Sequence, residues 1–531
     1  MALVVGVDSS TQSCTVVLHE ESGTMLASAS APHVWTTPPV SEQDPEDWWA
    51  ALSEALAKVC HIAGTSPRAI GAISIAAQHH GLVAIGPAGV VLRPAKLWND
   101  TTSAAQAGRL VSQLGRERWV RRTGLVPTAG ITISKLAWLA EKEPASFQRL
   151  RLALLPHDWL TMQLTGGAVT DRGDASGTGY FDPVADAWCL DILALVDPER
   201  DWLAQLPRVL GPESPAGKAN TTRAAALGLC PDTLVGPGTG DQSAAALGLN
   251  IQEGDMLVSL GTSGVVAGIS LRQVRDGLGR VIGSASASGS FQPTIVTLNA
   301  AKVTDTFARL LGVEHNEMSR LALAADRSAT NRPILVPYLD GERTPDRPLA
   351  RGLLMDLSSA CTREALALCA FEGVILGLLQ GRDTLIEVGV PAGGRLILAG
   401  GASRSPAYRT LFAALAGMPV RVAEVDGERL TGQELGSFFV LLVVAVTIIT
   451  TVSSPSRAAL SDSATCSEWG AATAAQKIAY SHVYINEYGA FANTARNADA
   501  VEAAIDKSCI RAAYLGEADD VSVLASLRHA F

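Results

Sequence analysis

The sequence lacks clustered basic residues. Its 42 lysines and arginines are outnumbered by 52 acidic residues, which gives a formal net charge of −10 at pH 7. Because a nucleic-acid site needs clustered cations to neutralise phosphates, no nucleic-acid partner is expected.

Paired cysteines are also absent. The eight cysteines form no C-x-x-C pair, and they stand at positions 14, 60, 189, 230, 361, 369, 466 and 509. Neither a zinc site nor a disulfide framework is predicted, and reduced thiols in the cytoplasm fit this pattern best. The chain begins with the apolar run "MALVVGVD", without a basic region before it, so no secretion signal is expected.

The common nucleotide-binding motifs are missing as well. In "GPESPAGKAN" five residues separate the two glycines where a P-loop has four, and Ala219 replaces the Ser or Thr of that motif. No G-x-G-x-x-G opens a βαβ unit. A nucleotide would therefore have to be bound by a different scheme.

One long apolar run stands near the C-terminal end of the sequence. It extends from Phe438 to Val452, which is shorter than the ~20 residues of a spanning helix. Widening it to Leu435–Ser454 makes it marginally long enough. Its Val, Ile and Thr content suits a buried strand equally well, and a membrane span is not expected.

Strand-like and helix-like segments alternate along the chain, which predicts an α/β fold. With 531 residues, two domains of roughly 250 residues each are expected. Residues 4–20 and 256–270 share one pattern, an apolar strand, a Gly/Ser/Thr turn and a second apolar strand. Each predicts a β-hairpin, and the pair indicates a duplicated domain.

The hydroxyl-rich hairpin turns are candidate phosphate sites, because backbone N–H groups and small hydroxyls form anion-binding concavities. Such turns also close ordinary hairpins, so this alternative stays open. Asp8 stands at the exit of the first strand, where a carboxylate beside phosphates could hold Mg²⁺.

A third candidate site lies at 395–417, where a strand runs into the paired glycines Gly400 and Gly401. We predict a helix with Ser405 as its N-cap, Pro406 as its first residue and Gly417 as its stop. The glycines would let a ligand lie against the backbone, and the helix N-terminus would attract negative charge. A plain strand-to-helix turn is the alternative.

Together these segments resemble the FGGY carbohydrate kinases, which belong to the actin and sugar-kinase superfamily. The resemblance covers residues 2 to about 425, and it rests on the segments "VDSSTQSCTVVL", "EQDPEDWW", "AAQHHGLV", "LRPAKLWNDTTS", "GPGTGDQSAAALG", "SLGTSGVV", "PYLDGERTP" and "GGASRSPAYRTLFAALAGMPV". It implies two ribonuclease H-like domains around an ATP cleft, here 1–248 and 249–531. It also implies that ATP and Mg²⁺ are bound and that a sugar hydroxyl is phosphorylated.

The resemblance assigns Asp241 as the general base and as a sugar contact, and Asp8 as the carboxylate that positions Mg²⁺ or phosphate. Asp241 could also simply cap the helix that follows it. Further sugar contacts are implied at His79, His80, Trp98, Asn99 and Asp100. Nucleotide contacts are implied at Thr11, Gln12, Ser13, Gly261, Thr262, Gly400, Gly401 and Ser405. Within the family, the "QHHG" and "WND" segments favour D-xylulose over ribulose, gluconate or glycerol.

The sequence departs from the family pattern at two places. Thr15 stands where the family usually has Lys or Arg, so one cation for the nucleotide phosphates is missing. Residues 427–465, which contain the apolar run, interrupt the passage from a strand to a helix expected at 467–480. A hydrophobic insertion packed on the second domain and a translated non-coding segment remain the two main interpretations.

A sensor that binds a sugar or a nucleotide without catalysis is the alternative from another functional class. The presence of both Asp8 and Asp241 favours an enzyme, because a binding protein has no need of a base. The oligomeric state stays open, with a homodimer among the alternatives.

Overall fold

The computed structural model describes residues 3–329, 332–347 and 349–423, and two large mixed β-sheets organise this part of the chain. In the first half the strands are β1 Leu3–Ser9, β2 Ser13–Glu20, β3 Met25–Pro32, β4 Glu42–Gln43, β5 Ile70–Ala77, β6 Val83–Ile85, β7 Ala95–Lys96, β8 Leu152–Leu154, β9 Val169–Asp171, β10 Phe181–Asp182, β11 Ala187–Trp188, β12 Arg208–Leu210, β13 Gly217–Lys218, β14 Leu234–Val235 and β15 Thr239–Gly240. The helices of this half are α1 Pro45–Ile62, α2 Ala104–Leu114, α3 Arg116–Thr123, α4 Thr132–Lys142, α5 Pro144–Arg149, α6 Pro156–Thr165, α7 Arg172–Ser176, α8 Leu190–Leu193, α9 Thr222–Ala226 and α10 Asp241–Gly248.

The second half continues with the same alternation of strands and helices. Its strands are β16 Gly254–Leu260, β17 Gly264–Gly268, β18 Ile282–Ala285, β19 Phe291–Thr297, β20 Ile334–Val336, β21 Leu353–Met355, β22 Ala392–Ala399 and β23 Val420–Val422. Its helices are α11 Ala301–Leu311, α12 His315–Ala324, α13 Arg363–Glu387 and α14 Pro406–Ala416.

The two sheets repeat one arrangement. In the first sheet β1 pairs antiparallel with β2 and parallel with β5, in the order β13-β14-β5-β1-β2-β3. In the second sheet β16 pairs antiparallel with β17 and parallel with β22, in the order β18-β19-β17-β16-β22-β23. Both predicted hairpins and the predicted duplication are therefore confirmed. The domain limits 1–248 and 249–531 remain a prediction.

A helix covers each sheet and supplies much of its core. Helix α1 begins after Asp44, whose side chain accepts a hydrogen bond from the backbone N–H of Glu46. It packs on β2 and β3 with buried residues that include Trp48 and Leu52. Helix α13 begins after Thr362, which caps it through the N–H of Ala365, and packs on β17 and β19.

By length and apolar composition, α13 could cross a membrane. Most of its apolar side chains instead lie in the core beside the second sheet, among them Phe371, Ile375 and Leu378. Among the described residues α13 is the single helix with this property, and it is a core helix. The apolar run 438–452, the interruption at 427–465 and the helix expected at 467–480 lie outside the described residues.

The first sheet positions the candidate site through three strands that end side by side. Asp8 near the end of β1 lies opposite Ala76 of β5. Gly240 at the end of β15 lies opposite Ala77, the last residue of β5. Because these strands are parallel, Asp8, the residues after β5 and Asp241 are presented at the same edge of the sheet.

Candidate active site

Asp241 is the first residue of α10 and follows the strand end at Gly240. The N-cap of this helix is Gly240, so the interpretation of Asp241 as the capping residue is wrong. Its side chain keeps 28% of its surface exposed, while one carboxylate oxygen lies 3.6 Å from Nε2 of His79. Burial raises the pKa of Asp241, although the charge of His79 opposes this shift. Asp241 is thus a partly exposed carboxylate with a raised pKa.

His79 lies between two carboxylates. Its Nδ1 lies 2.7 Å from Oδ1 of Asp174, and its Nε2 faces Asp241. The ring also packs on Gly240, where any Cβ atom would come within 1.9 Å of the imidazole. Glycine at position 240 is therefore required for His79 to approach Asp241.

His80 is held by its backbone. It adopts a positive φ of 63°, and its carbonyl oxygen accepts hydrogen bonds from Thr132 and Lys135. Burial lowers the pKa of Lys135 to about 7. Burial and the positive charge of His79 lower the pKa of His80, which favours a neutral ring. Among the described residues its Nδ1 has no hydrogen-bond partner, and this buried atom lies against Gly177.

The loop after β7 carries the predicted sugar residues Trp98, Asn99 and Asp100. Trp98 is 37% exposed, and its indole N–H donates to the Thr11 hydroxyl over 2.9 Å. Oδ1 of Asn99 is buried without a partner among the described residues.

Asp100 is completely buried within this loop. Its carboxylate accepts hydrogen bonds from the backbone N–H of Ser41, from Lys96 and from Thr102. Burial would raise the pKa of Asp100, but the bonds from Thr102 and Ser41 outweigh it and lower the pKa. Asp100 thereby fixes the loop that presents Trp98, and its own contact with a sugar stays a prediction.

The turn of the first hairpin holds Asp8 and Thr11 on the same sheet edge. The Ser10 hydroxyl donates toward both oxygens of Asp8, at 2.8 and 2.9 Å. Gln12 is exposed in this turn, and Ser13 begins β2. Thr15 lies directly opposite Asp8 in the β-ladder, is 2% exposed, and forms a hydrogen bond with Ser30. A buried threonine at this position supplies no cation to the turn.

The turn of the second hairpin anchors the next helix. The carbonyl oxygens of Gly261 and Thr262 accept the N–H groups of Ala301 and Ala300. After β22, Gly400 adopts a φ of 83° and lies so close to Leu260 that a Cβ atom would come within 2.8 Å of its carbonyl oxygen. Only glycine permits this close approach between the hairpin and the paired glycines.

The predicted helix at 406–416 is confirmed, with Ser405 at the N-cap position, Pro406 first and Gly417 in the left-handed conformation. The Ser405 side chain makes no capping bond. Instead Ser319 of α12 accepts the N–H of Ala407 at 3.0 Å. This arrangement borders a pocket of about 330 Å³ whose lining includes Gly401, Ser405, Ser319, Phe371 and Tyr408.

Four residues of this site were not predicted from the sequence: Ser10, Asp174, Ser319 and His157, whose Nδ1 lies 2.9 Å from Oδ2 of Asp174. Asp174 belongs to the segment 174–182, which the sequence indicated only as structure near the cleft. Its hydrogen bond to His79 spans 95 residues of chain, so no local pattern predicts it.

Comparison with known proteins gives the family. The profile described as "FGGY family of carbohydrate kinases, N-terminal domain" matches residues 3–248, and the C-terminal domain profile matches residues 256–433. The chain belongs to the FGGY family of carbohydrate kinases. The resemblance inferred from the sequence is thereby confirmed.

Relatives of this family are similar over most of the chain. A xylulose kinase of Streptomyces coelicolor is 41% identical over 426 residues, which is 80% of this chain and 84% of that protein. A xylulose kinase of Streptomyces rubiginosus is 42% identical over 424 residues, 79% of this chain and 84% of that protein.

A solved structure supports the same conclusion. The crystal structure of xylulose kinase from Bifidobacterium adolescentis has a TM-score of 0.73 and 34% identity, over 85% of this chain and 93% of that one. The predicted fold, two ribonuclease H-like domains, is confirmed.

Proposed function

We propose that this FGGY kinase phosphorylates the terminal hydroxyl of D-xylulose with ATP, giving D-xylulose 5-phosphate and ADP. The observation that carries the proposal is the partly exposed carboxylate of Asp241 beside His79, at the sheet edge that also holds Asp8. The identity to relatives that are named xylulose kinases supports this sugar over others.

Asp241 acts as the general base in this proposal. It accepts the proton of the sugar hydroxyl as that oxygen bonds to the γ-phosphorus, while the bond from the γ-phosphorus to the oxygen of ADP breaks. Phosphoryl transfer needs little covalent help, so alignment and a nearby base provide most of the catalysis. The raised pKa of Asp241 makes it a better proton acceptor than an exposed aspartate.

The sugar would lie between the residues after β5 and the loop after β7. Polyols are bound by polar side chains that contact their hydroxyls and by an aromatic ring that covers an apolar face. Nδ1 of His80 and Oδ1 of Asn99 are polar atoms without a partner among the described residues, and Trp98 supplies an exposed ring. Both ring nitrogens of His79 lie beside carboxylates, so His79 would border the sugar mainly through its ring. Asp100 would act mainly by holding the Trp98 loop, because its carboxylate is occupied by protein donors.

The nucleotide would lie along both hairpin turns and the start of α14. Thr11, Gln12 and Ser13 would contact phosphate from the first turn, and Gly261 and Thr262 from the second. The pocket beside Gly401 and Ser405 suits adenine and ribose, with Gly400 keeping the backbone close.

Asp8 fits a role in Mg²⁺ binding. Mg²⁺ takes one or two carboxylates together with nucleotide phosphates and water, and Asp8 is a nearly buried carboxylate at a strand end beside the phosphate turn. Bound Mg²⁺ would partly neutralise the phosphates and so weaken their repulsion of the attacking oxygen. The Ser10 hydroxyl orients the Asp8 carboxylate for this role.

We further propose that the enzyme works in the cytoplasm, on a free sugar and ATP, with neither a nucleic acid nor a membrane as partner. The acidic net charge and the dispersed cysteines support this compartment. A homodimer is compatible with it.

A coupled assay of ADP release over a sugar panel tests this proposal. The full chain receives ATP and Mg²⁺ with D-xylulose, D-ribulose, D-gluconate or glycerol. The highest kcat/KM is expected for D-xylulose. A higher value for another member of the panel would identify a different substrate. Calorimetric binding of D-xylulose without any ADP release would favour the sensor alternative.

A further inference from the structure

A series of titratable side chains leads from Asp241 into the protein interior. Beyond His79, Oδ2 of Asp174 lies 2.9 Å from Nδ1 of His157. Nε2 of His157 in turn lies 3.1 Å from Asp158 and 3.8 Å from Asp171. Asp174, His157 and Asp158 have no exposed surface. This series, Asp241–His79–Asp174–His157, is here named the inner relay.

The inner relay is fixed at its far end by the backbone. Asp171 caps α7 by accepting the N–H groups of Gly173 and Asp174, and it accepts the Thr239 hydroxyl. Asp158 accepts the N–H of Leu155 at the start of α6. The Thr239 bond joins α7 to the strand β15 that leads to Asp241, and the His157–Asp174 bond joins α6 to α7, so little positional freedom is left to Asp174.

The hydrogen bonds determine where protons reside. An ionised carboxylate only accepts hydrogen bonds, so both histidines must donate to Asp174 from a protonated Nδ1. His79 is thereby oriented with Nε2 toward Asp241. A carboxylate that fixes an imidazole through Nδ1 is a recurrent way to set the tautomer of a functional histidine.

The surrounding charges favour a protonated His79. Burial lowers the pKa of His79, but Asp174, Asp241 and Asp171 together raise it to about 9. The ring of His80 lies beside that of His79, with 5.3 Å between the ring centroids, and the charges of His79, Lys135 and Arg343 add to burial in lowering the pKa of His80, while Asp174 raises it. The positive charge of His79 in turn opposes the burial that raises the pKa of Asp241.

We propose that Asp174, supported by His157, is a positioning residue for phosphoryl transfer, because it holds His79 with a protonated Nε2 toward the base Asp241. The N–H of His79 keeps Asp241 ionised and aligned until the proton of the substrate hydroxyl arrives, and His79 retains its own protons throughout. The inference rests on the proposed role of Asp241.

The variant Asp174→Asn in the full chain tests the proposal by its pH profile. Without the carboxylate His79 becomes neutral, so Asp241 loses a cationic neighbour. Asp174 itself raises the pKa of Asp241, but His79 has the larger influence, so the net change is upward. The acidic limb of kcat/KM should therefore move up by about one pH unit, and the KM for ATP should stay within about twofold.

Asp255→Asn is the matched control. Asp255 is also a nearly buried aspartate, but it pairs with Arg395 at the far end of β16. This control should leave the acidic limb in place. A loss of activity in Asp174→Asn that is equal at every pH would show a merely structural role and overturn the proposal.

Nitrogen NMR of the His79 ring gives a readout that needs no turnover. In the unaltered protein both ring nitrogens should be protonated at pH 7.5, and in Asp174→Asn the ring should be neutral. If Asp174→Asn does not fold, His157→Gln should produce the same change to a smaller extent. A neutral His79 in the unaltered protein would overturn the proposal even if D-xylulose is phosphorylated. If both ring nitrogens of His79 are protonated but the protein does not phosphorylate D-xylulose, only the proposed substrate is refuted.

Discussion

The indole nitrogen of Trp98 donates a hydrogen bond to the hydroxyl of Thr11, with 2.9 Å between the two atoms. Thr11 belongs to the turn proposed for phosphate, and Trp98 to the loop proposed for the sugar. This bond therefore joins the turn and the loop across 87 residues of chain. Since Trp98 itself belongs to the loop proposed for the sugar, a change at Trp98 should affect sugar binding more than nucleotide binding.

We expect Trp98→Phe to raise the KM for D-xylulose. The variant keeps an aromatic ring but loses the hydrogen bond to Thr11 that holds the ring in place. A net hydrogen bond is worth about 0.5–1.5 kcal/mol, so the misplaced ring should cost at most about 2- to 10-fold in sugar affinity. Trp98→Ala should raise the KM further because the ring is lost too. Steady-state kinetics checks both, with Trp49→Phe as a control on the α1 surface near Arg223. An unchanged KM in Trp98→Ala would refute the sugar contact.

Gly400→Ala should weaken ATP binding and lower stability more than Gly417→Ala. Both residues have positive φ, which strains any other residue by about 1–2 kcal/mol. The added Cβ at Gly400 would also meet the Leu260 carbonyl oxygen at 2.8 Å, whereas nothing lies within 4 Å at Gly417. The KM for ATP and the midpoint of urea unfolding provide the comparison. Equal effects in both variants would show that the close approach at Gly400 has no importance.

Ser319→Ala should destabilise the start of α14. The variant removes the acceptor for the N–H of Ala407, and the loss of a cap costs about 0.5–2 kcal/mol. Since Ser319 lines the pocket proposed for the nucleotide, the KM for ATP should rise as well. Urea unfolding and kinetics measure the two effects, and Ser112→Ala, at an exposed position of α2, is the control. A lower stability with an unchanged KM for ATP would contradict the proposal that the nucleotide binds in this pocket.

The stability of the protein should fall between pH 6.5 and pH 9.5. The pKa values of His79 and His157 are raised to about 9, because nearby aspartates outweigh burial. A histidine whose pKa is higher in the folded protein than in the unfolded chain stabilises the fold while it is protonated. This contribution is full below the unfolded pKa of about 6.5 and is lost as the pH rises through the folded pKa of about 9. Burial raises the pKa of Asp158 to about 7, so the stability lost by its ionisation is mostly lost below pH 7. The pKa of Lys135, lowered to about 7, has the opposite sign and offsets about one of the two histidines above pH 7, so the net decline is that of about one histidine.

Urea midpoints at pH 6.5, 8 and 9.5 measure this decline. The variant His157→Gln should reduce its slope, while His61→Gln at the exposed end of α1 serves as control. A midpoint that rises with pH over this range would contradict the assignment of protons in the inner relay.

The features that the sequence predicted correctly are local ones. Each hairpin follows from an apolar strand, a hydroxyl-rich turn and a second strand, and α14 follows from Ser405, Pro406 and Gly417. Such signals lie within a few residues of each other and depend on backbone conformation more than on distant packing.

The features that the sequence did not predict depend on tertiary contacts. Ser319 caps α14 across 88 residues of chain, and Asp174 reaches His79 across 95. For Asp100 the sequence could identify a polar residue near the sugar, but only packing shows that Ser41, Lys96 and Thr102 occupy its carboxylate. Residue type alone does not reveal which polar groups are already satisfied by the fold.

The most direct measurement of the proposed function compares ADP release by the unaltered chain and by Asp241→Asn, with D-xylulose, ATP and Mg²⁺. The unaltered chain should release ADP only when D-xylulose is present. The variant should be slower by about 10²- to 10⁴-fold, because it lacks a general base, and calorimetry should show that it still binds D-xylulose. Equal turnover by a folded Asp241→Asn variant, or no turnover by the folded unaltered chain, would contradict the proposed function.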